Sequence, residues 1–271
     1  MKTIKTTVPA ALAVLATAAG AFADSPAQPV RSTQYGAERL DFTVGANRAF
    51  LILPTHPAPD GSKPWVWYAP SFVQNLPDAT HEWMFKQLLA KGFAIGGVDV
   101  GESCGNPKGR AAFTAYHDFV VKNYGLSPKA CLLPQSRGGL MLINWAVEHP
   151  EWVQCIGGIF IVADLTTYPG MGPALNAAYG FKPDDWDTKL AEHNPVDRLA
   201  PLAAARIPIF LIHGDADALV PLERNSAELM RRYKALNGPG EIVVINGKGH
   251  EVCDEFFKSQ RLVDFFLARG W

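Results

Sequence analysis

Three residues far apart in the chain have the types and settings of a proton relay that ends in a nucleophile: Ser136, Asp217 and His250. Ser136 follows the apolar run 130–133 through Pro134-Gln135 and precedes Arg137-Gly138-Gly139 and a segment of helical period. A serine at a sharp strand-to-helix turn has its hydroxyl pushed out of the sheet, and a glycine two residues later lets the helix pack on the strand. Free N–H groups at the start of that helix favour negative charge on a nearby oxygen. The plain alternative is a helix N-cap serine. The full G-x-S-x-G pattern is not met, because Pro134 stands where its first glycine would be.

Asp217 lies in His213-Gly214-Asp215-Ala216-Asp217 after the apolar run 207–212, and His250 in Gly247-Lys248-Gly249-His250-Glu251 after the run 242–245. A carboxylate delivered to an imidazole fixes its tautomer and stabilises the imidazolium, and the imidazole can then take a hydroxyl proton and later return it. Taken singly, Asp215 and Asp217 read as turn or capping residues and His250 as a surface helix start.

Such a relay needs elements that bring these loops to one place. Apolar runs at 65–68, 93–100, 130–133, 155–162, 207–212 and 242–245 are too continuous for strands with one wet face, and most are separated by segments of helical period. Asp78 can cap a helix that runs to Gly92; Phe113, Tyr116 and Val120 share a face of the next; Leu140, Ile143, Asn144 and Val147 share one after the serine turn, with Pro150 closing it. An alternating pair, 40–44 and 50–53 about a Gly45-Ala46-Asn47 turn, reads as an opening hairpin. The pattern predicts an α/β fold, a mostly parallel sheet with helices on both faces, and right-handed crossovers place every parallel strand's C-terminal end on one edge. Ser136, Asp217 and His250 all follow such ends.

The 271 residues carry 25 Lys+Arg against 26 Asp+Glu, with 48% hydrophobic and 19% charged side chains, which suits an ordinary globular chain and gives no basic surface for nucleic acid. Lys2 and Lys5 precede an apolar run and Ala21-Phe22-Ala23, so residues 1–23 read as a signal peptide rather than a membrane anchor, and 24–271 as one exported domain, periplasmic or secreted, with no membrane attachment after cleavage. The stretch from about 164 to 206 breaks the alternation and reads as a lid or binding insertion, or else as a packed connection. In an oxidising compartment Cys131 could pair with Cys155 and Cys104 with Cys253; four free thiols are the other reading. No metal or cofactor is expected, since the histidines show no ligand spacing.

The Gln-Ser-Arg-Gly-Gly turn, the His-Gly-Asp-Ala-Asp-Ala-Leu-Val-Pro turn and the Gly-Lys-Gly-His-Glu loop together resemble the α/β-hydrolase family over essentially all of 24–271. The resemblance implies a serine esterase with Ser136 as nucleophile, His250 as base and Asp217, the second aspartate of its turn, as acid; some relatives take the acid from the loop after the preceding strand, which makes Asp164 the alternative, with Glu102 and Glu251 weaker ones. The oxyanion donors would be the Arg137 N–H and either Ser71 or Phe72, because Pro70 cannot donate. Arginine directly after the serine is similar to bacterial polysaccharide esterases of the glucuronoyl and pectin type, where it would assist the oxyanion or hold a uronic carboxylate; an ion pair with Glu102 is the structural alternative. Tyr168, Tyr179 and Trp186 in the insertion are the candidate substrate walls, whereas Trp65, Trp67, Trp145 and Trp152 read as core. The expected substrate is a small-molecule or polysaccharide ester. A prolyl-oligopeptidase-type peptidase and a non-catalytic carbohydrate-binding protein are the competing readings.

Overall fold

Most of the continuous apolar runs become strands covered on both faces; the last, 242–245, becomes a half-buried edge strand. The computed structural model describes residues 28–270, so the segment read as a signal, 1–23, lies outside the described residues. Among these, one nine-stranded sheet contains β1 (Val30–Gln34), β2 (Ala37–Val44), β3 (Asn47–Ile52), β4 (Trp65–Ala69), β5 (Ala94–Val98), β6 (Ala130–Pro134), β7 (Val153–Ile159), β8 (Ile209–Gly214) and β9 (Gly240–Ile245). Its order is β1-β2-β3-β5-β4-β6-β7-β8-β9. Pairing is antiparallel from β1 to β5 and parallel from β5 to β9. The chain therefore leaves β4 for one neighbour, β5, and later returns to its other side as β6. That reversal opens a crevice beyond the strands' C-terminal ends, where the loops after β4 and β6 diverge.

The helices are α1 (Glu82–Ala90), α2 (Pro107–Tyr124), α3 (Gly138–Ala146), α4 (Pro173–Tyr179), α5 (Trp186–His193), α6 (Ala200–Ala204), α7 (Ser226–Ala235), α8 (Asp254–Phe257) and α9 (Gln260–Leu267). On one face of the sheet Trp65 and Trp67 pack with Phe113 and Tyr116 of α2 and Trp145 of α3. On the other, Val66 and Tyr68 pack with Phe85 of α1 and Phe266 of α9. Successive residues of β4 thus enter different cores, so no position in it is free to be polar. Asp78 accepts from the Thr80 N–H at 2.9 Å and caps the turn that leads into α1.

Two elements differ from the sequence expectation. The opening hairpin is extended by β1, a polar and largely exposed edge strand with no alternation to reveal it. The run 155–162 is strand only to Ile159, because Phe160 takes a positive φ of 35° and turns the chain aside. The insertion is a packed structure built on α4, α5 and α6: its Leu175 and Trp186 share a third apolar cluster with Leu140 of α3 and Val220.

The four cysteines are free thiols, contrary to the favoured pairings. Cys131 and Cys155 do stand side by side, as register partners on β6 and β7. Burial holds the Cys155 thiol well above its ordinary value and pushes that of Cys104 up to about 11, so both stay protonated. Cys104 belongs to the insertion's cluster and Cys253 packs on the α1/α9 side, so these two serve different parts of the core.

Candidate active site

Ser136 follows β6 with φ of 50°, a left-handed conformation that costs a non-glycine residue of order 1–3 kcal/mol. Its backbone is held by three hydrogen bonds: its N–H donates to Ile159 C=O (3.0 Å), and its C=O accepts from Gly139 N–H (3.0 Å) and Val162 N–H (2.8 Å). At about 1 kcal/mol each these offset the strain. The glycines after it are required by close approach, since a Cβ on Gly138 would stand 2.0 Å from Ala69 C=O and one on Gly139 2.2 Å from Val162 C=O. Gly138 thereby seats the elbow directly on the loop after β4.

The loops after β8 and β9 deliver the acid and the imidazole. His250 Nε2 lies 2.8 Å from Ser136 Oγ, and its Nδ1 lies 2.8 Å from Asp217 Oδ2. A carboxylate can only accept, so Nδ1 carries the proton and the bare Nε2 accepts from the serine hydroxyl. Asp217 is 5% exposed, and its other oxygen accepts from the N–H groups of Val220 (2.7 Å) and Leu219 (3.0 Å). The two loops are tied together by Asp215 Oδ1, which accepts from Gly247 N–H at 2.6 Å, and by Ala216 N–H donating to Lys248 C=O at 3.0 Å. Asp164, the alternative acid, is instead occupied by Arg224 (3.1 Å) and by Thr166.

A cleft of ≈ 290 Å³ opens over Ser136 and His250, lined also by Pro70, Gln135, Arg137, Phe160, Tyr168 and Leu219. The Phe72 N–H is donated to Leu76 C=O at 2.8 Å, which removes it as an oxyanion donor. Ser71 keeps that role open: its hydroxyl is anchored on Tyr68 C=O at 2.8 Å, and the turn's hydrogen bonds leave its N–H and that of Arg137 unused. The Arg137 guanidinium pairs with Glu102 and stands 5.6 Å from the Tyr168 ring centre. Glu102 meets the site only through that pair and does not line the cleft. Trp186 does not line it either; it is buried inside the insertion, with its indole N–H on Asn176 Oδ1 at 2.7 Å. Tyr179 packs against it and donates its hydroxyl to Cys104 C=O at 3.0 Å. Among the described residues no group of three or more His, Cys, Asp or Glu could hold a metal ion, and no helix is long and apolar enough to cross a membrane.

Sequence reasoning missed three contributors. Phe160 packs its ring 4.4 Å from that of His250. Fully buried His213 reaches Asp217 Oδ2 at 3.2 Å and Val220 C=O at 2.8 Å through Nε2, while Nδ1 meets Ser226 Oγ at 2.7 Å. Val220 C=O can only accept, so Nε2 bears the hydrogen, and burial keeps this imidazole below its ordinary value and neutral. Gln135 sits beside the nucleophile on two buried partners, Tyr68 and His81. The signal for His213 and Phe160 was their position at strand ends next to the expected site.

The model of the prolyl oligopeptidase family matches residues 112–268, which include Ser136, Asp217 and His250. The chain belongs to the prolyl oligopeptidase family. With that, and with the sheet described above, the α/β-hydrolase fold expected from the sequence is borne out, and the family places the chain among the serine hydrolases of that superfamily. Solved structures share the fold at low identity. A puromycin-hydrolyzing peptidase of Mycobacterium tuberculosis is 16% identical with a TM-score of 0.64 over 87% of this chain, which spans only 38% of the length of that peptidase. An S-formylglutathione hydrolase from Agrobacterium tumefaciens is 13% identical, with a TM-score of 0.66 over 89% of this chain and 99% of its own. A truncated carbohydrate esterase from gut microbiota is 17% identical, with a TM-score of 0.66 over 92% and 98%. No curated protein matches the chain significantly.

Proposed function

We propose that this protein is an exported serine hydrolase that cleaves carboxylic esters through an acyl-serine intermediate, with a carbohydrate-linked ester as substrate. The observation that carries the hydrolytic reading is the pair of 2.8 Å contacts on either side of His250. His250 Nε2 removes the Ser136 proton as Oγ attacks the ester carbonyl carbon, and Asp217 stabilises the imidazolium that forms. The N–H groups of Arg137 and Ser71 receive the oxyanion, an arrangement in which each donor supplies about 2.7–4 kcal/mol. Collapse expels the alcohol with the proton from His250, and water then attacks the acyl-serine by the same relay.

One feature supports an ester rather than a peptide. The Arg137–Glu102 pair, with 24% and 51% of its side chains exposed, is worth roughly 1 kcal/mol or less, so a substrate carboxylate can take the place of Glu102 on the guanidinium at small cost. That favours a uronic ester. The family match favours peptide cleavage as the second reading. A panel that scores methanol, acetate and aryl-acid release from polysaccharides beside a peptide substrate separates the two: ester turnover without peptide turnover is expected, and the reverse would overturn the esterase assignment. Export rests on residues 1–23; a mature amino terminus at Asp24 is expected on sequencing the protein recovered from outside the cytoplasm.

A further inference from the structure

The residue before the nucleophile holds an amide whose two ends have different surroundings. Gln135 is 8% exposed and lines the cleft beside Ser136. Its Oε1 lies 2.7 Å from the hydroxyl of fully buried Tyr68 and 2.8 Å from Nε2 of His81, itself 2% exposed. Which end of the amide faces inward follows from counting protons. The Tyr68 hydroxyl has no other hydrogen-bond partner among the described residues, and a buried phenol left without an acceptor is costly, so Gln135 must present its carbonyl oxygen inward. His81 Nδ1 stands between Asp78 N–H at 3.3 Å and Asp78 Oδ1 at 3.2 Å, and its Nε2 faces the same Gln135 oxygen, to which it donates when it carries the hydrogen. The Tyr68 hydroxyl thus pins that oxygen inward. The carboxamide NH₂ has no protein acceptor among the described residues and opens to the cleft.

We propose that the Gln135 NH₂ group is a substrate-selecting donor that binds an ether, hydroxyl or carbonyl oxygen on the group flanking the scissile bond. The assignment rests on Ser136 being the nucleophile of this cleft and sharpens the substrate class to oxygen-rich groups. A hydrocarbon chain in the same place would leave the donor unpaired, so discrimination comes from rejection as much as attraction.

The test measures how fast Ser136 is phosphonylated by two fluorophosphonates of equal size, one with a 2-methoxyethyl and one with a butyl substituent on phosphorus. Gln135→Glu keeps an inward oxygen for Tyr68 and His81 and turns the outward donor into an acceptor. In that variant the methoxyethyl-to-butyl rate ratio is expected to fall about fivefold, the value of one hydrogen bond, whatever the change in the two absolute rates. Tyr68→Phe removes the pinning donor and is expected to lower the ratio about twofold, which decides the matter should the glutamate variant fail to fold. Ratios unchanged from wild type in the variants that fold would overturn the donor role while leaving the nucleophile intact. A wild-type chain that neither reagent labels at Ser136 would overturn the hydrolase reading and the donor with it. Because phosphonylation reads the serine and not the leaving group, peptide rather than ester turnover leaves the test valid.

Discussion

The relay and the rim of the same cleft are built on opposite principles. Ser136, Asp217 and His250 stand on loops at one edge of the parallel strands: backbone hydrogen bonds hold the serine turn to the end of β7 and bind the Asp217 and His250 loops to each other, and the acid is buried under Val220 and His213. Arg137, Glu102 and Tyr168 meet at the surface through an exposed ion pair and a ring contact. Buried groups with every partner supplied have one geometry; exposed charges share theirs with water and are free to exchange partners. The first arrangement suits chemistry that tolerates little misplacement, the second suits choice among substrates.

Substitutions should divide along that line. Ser136→Ala is expected to lower kcat by about 10⁶-fold and Asp217→Asn by about 10⁴-fold, with far-UV circular dichroism unchanged. Should Asp164→Asn have the larger effect instead, the acid has been misassigned. Next in size, Gly138→Ala forces a Cβ to within 2.0 Å of Ala69 C=O and should cost about 1–3 kcal/mol of stability together with activity. Gly172→Ala, in the insertion with extended backbone and nothing within 4 Å of the added Cβ, should leave both unchanged; equal losses would erase the contrast. Smaller still, Arg137→Ala should lower kcat/KM for uronic esters about tenfold and for neutral esters of equal size by less than about threefold. Equal losses would move Arg137 from substrate recognition to the oxyanion or to structure.

Acid pH probes the buried side of the comparison. His81 and His213 are both held below the ordinary histidine value of 6.5 by burial. Below that value the unfolded chain binds protons that the folded chain refuses. Their contribution to stability is therefore complete above about pH 6.5 and is lost as pH falls towards their folded values. Thermal unfolding should accordingly show a melting temperature that drops by a few degrees between pH 7 and pH 5. A flat profile would mean that these imidazoles titrate as freely as exposed ones.

Much of this was legible in the sequence because the chemistry sits where periodicity ends. The runs before Ser136 and Asp217 are buried on both faces and the run before His250 is a half-buried edge strand, yet the apolar continuity of all three marked the strands and hence the edge that carries the loops. Chain order then paired acid with base. What could not be read depends on contacts across the fold. Gln135 and His213 look like turn residues until Tyr68 and Asp217 are placed against them. Trp186 shares with Tyr168 an aromatic type and an irregular setting, yet only packing against Leu140 and Leu175 reveals that one is core and the other cleft. The choice between Ser71 and Phe72 turned on a single backbone hydrogen bond to Leu76, which no residue type announces.

The central claim is that His250 activates the hydroxyl of Ser136. Peptide mapping after treatment of the folded protein with a fluorophosphonate tests it most directly. One phosphonyl group per chain, on Ser136, with labelling strongly slowed in His250→Ala, is the expected result. Modification at another serine, or labelling of Ser136 at the same rate without the imidazole, would contradict it.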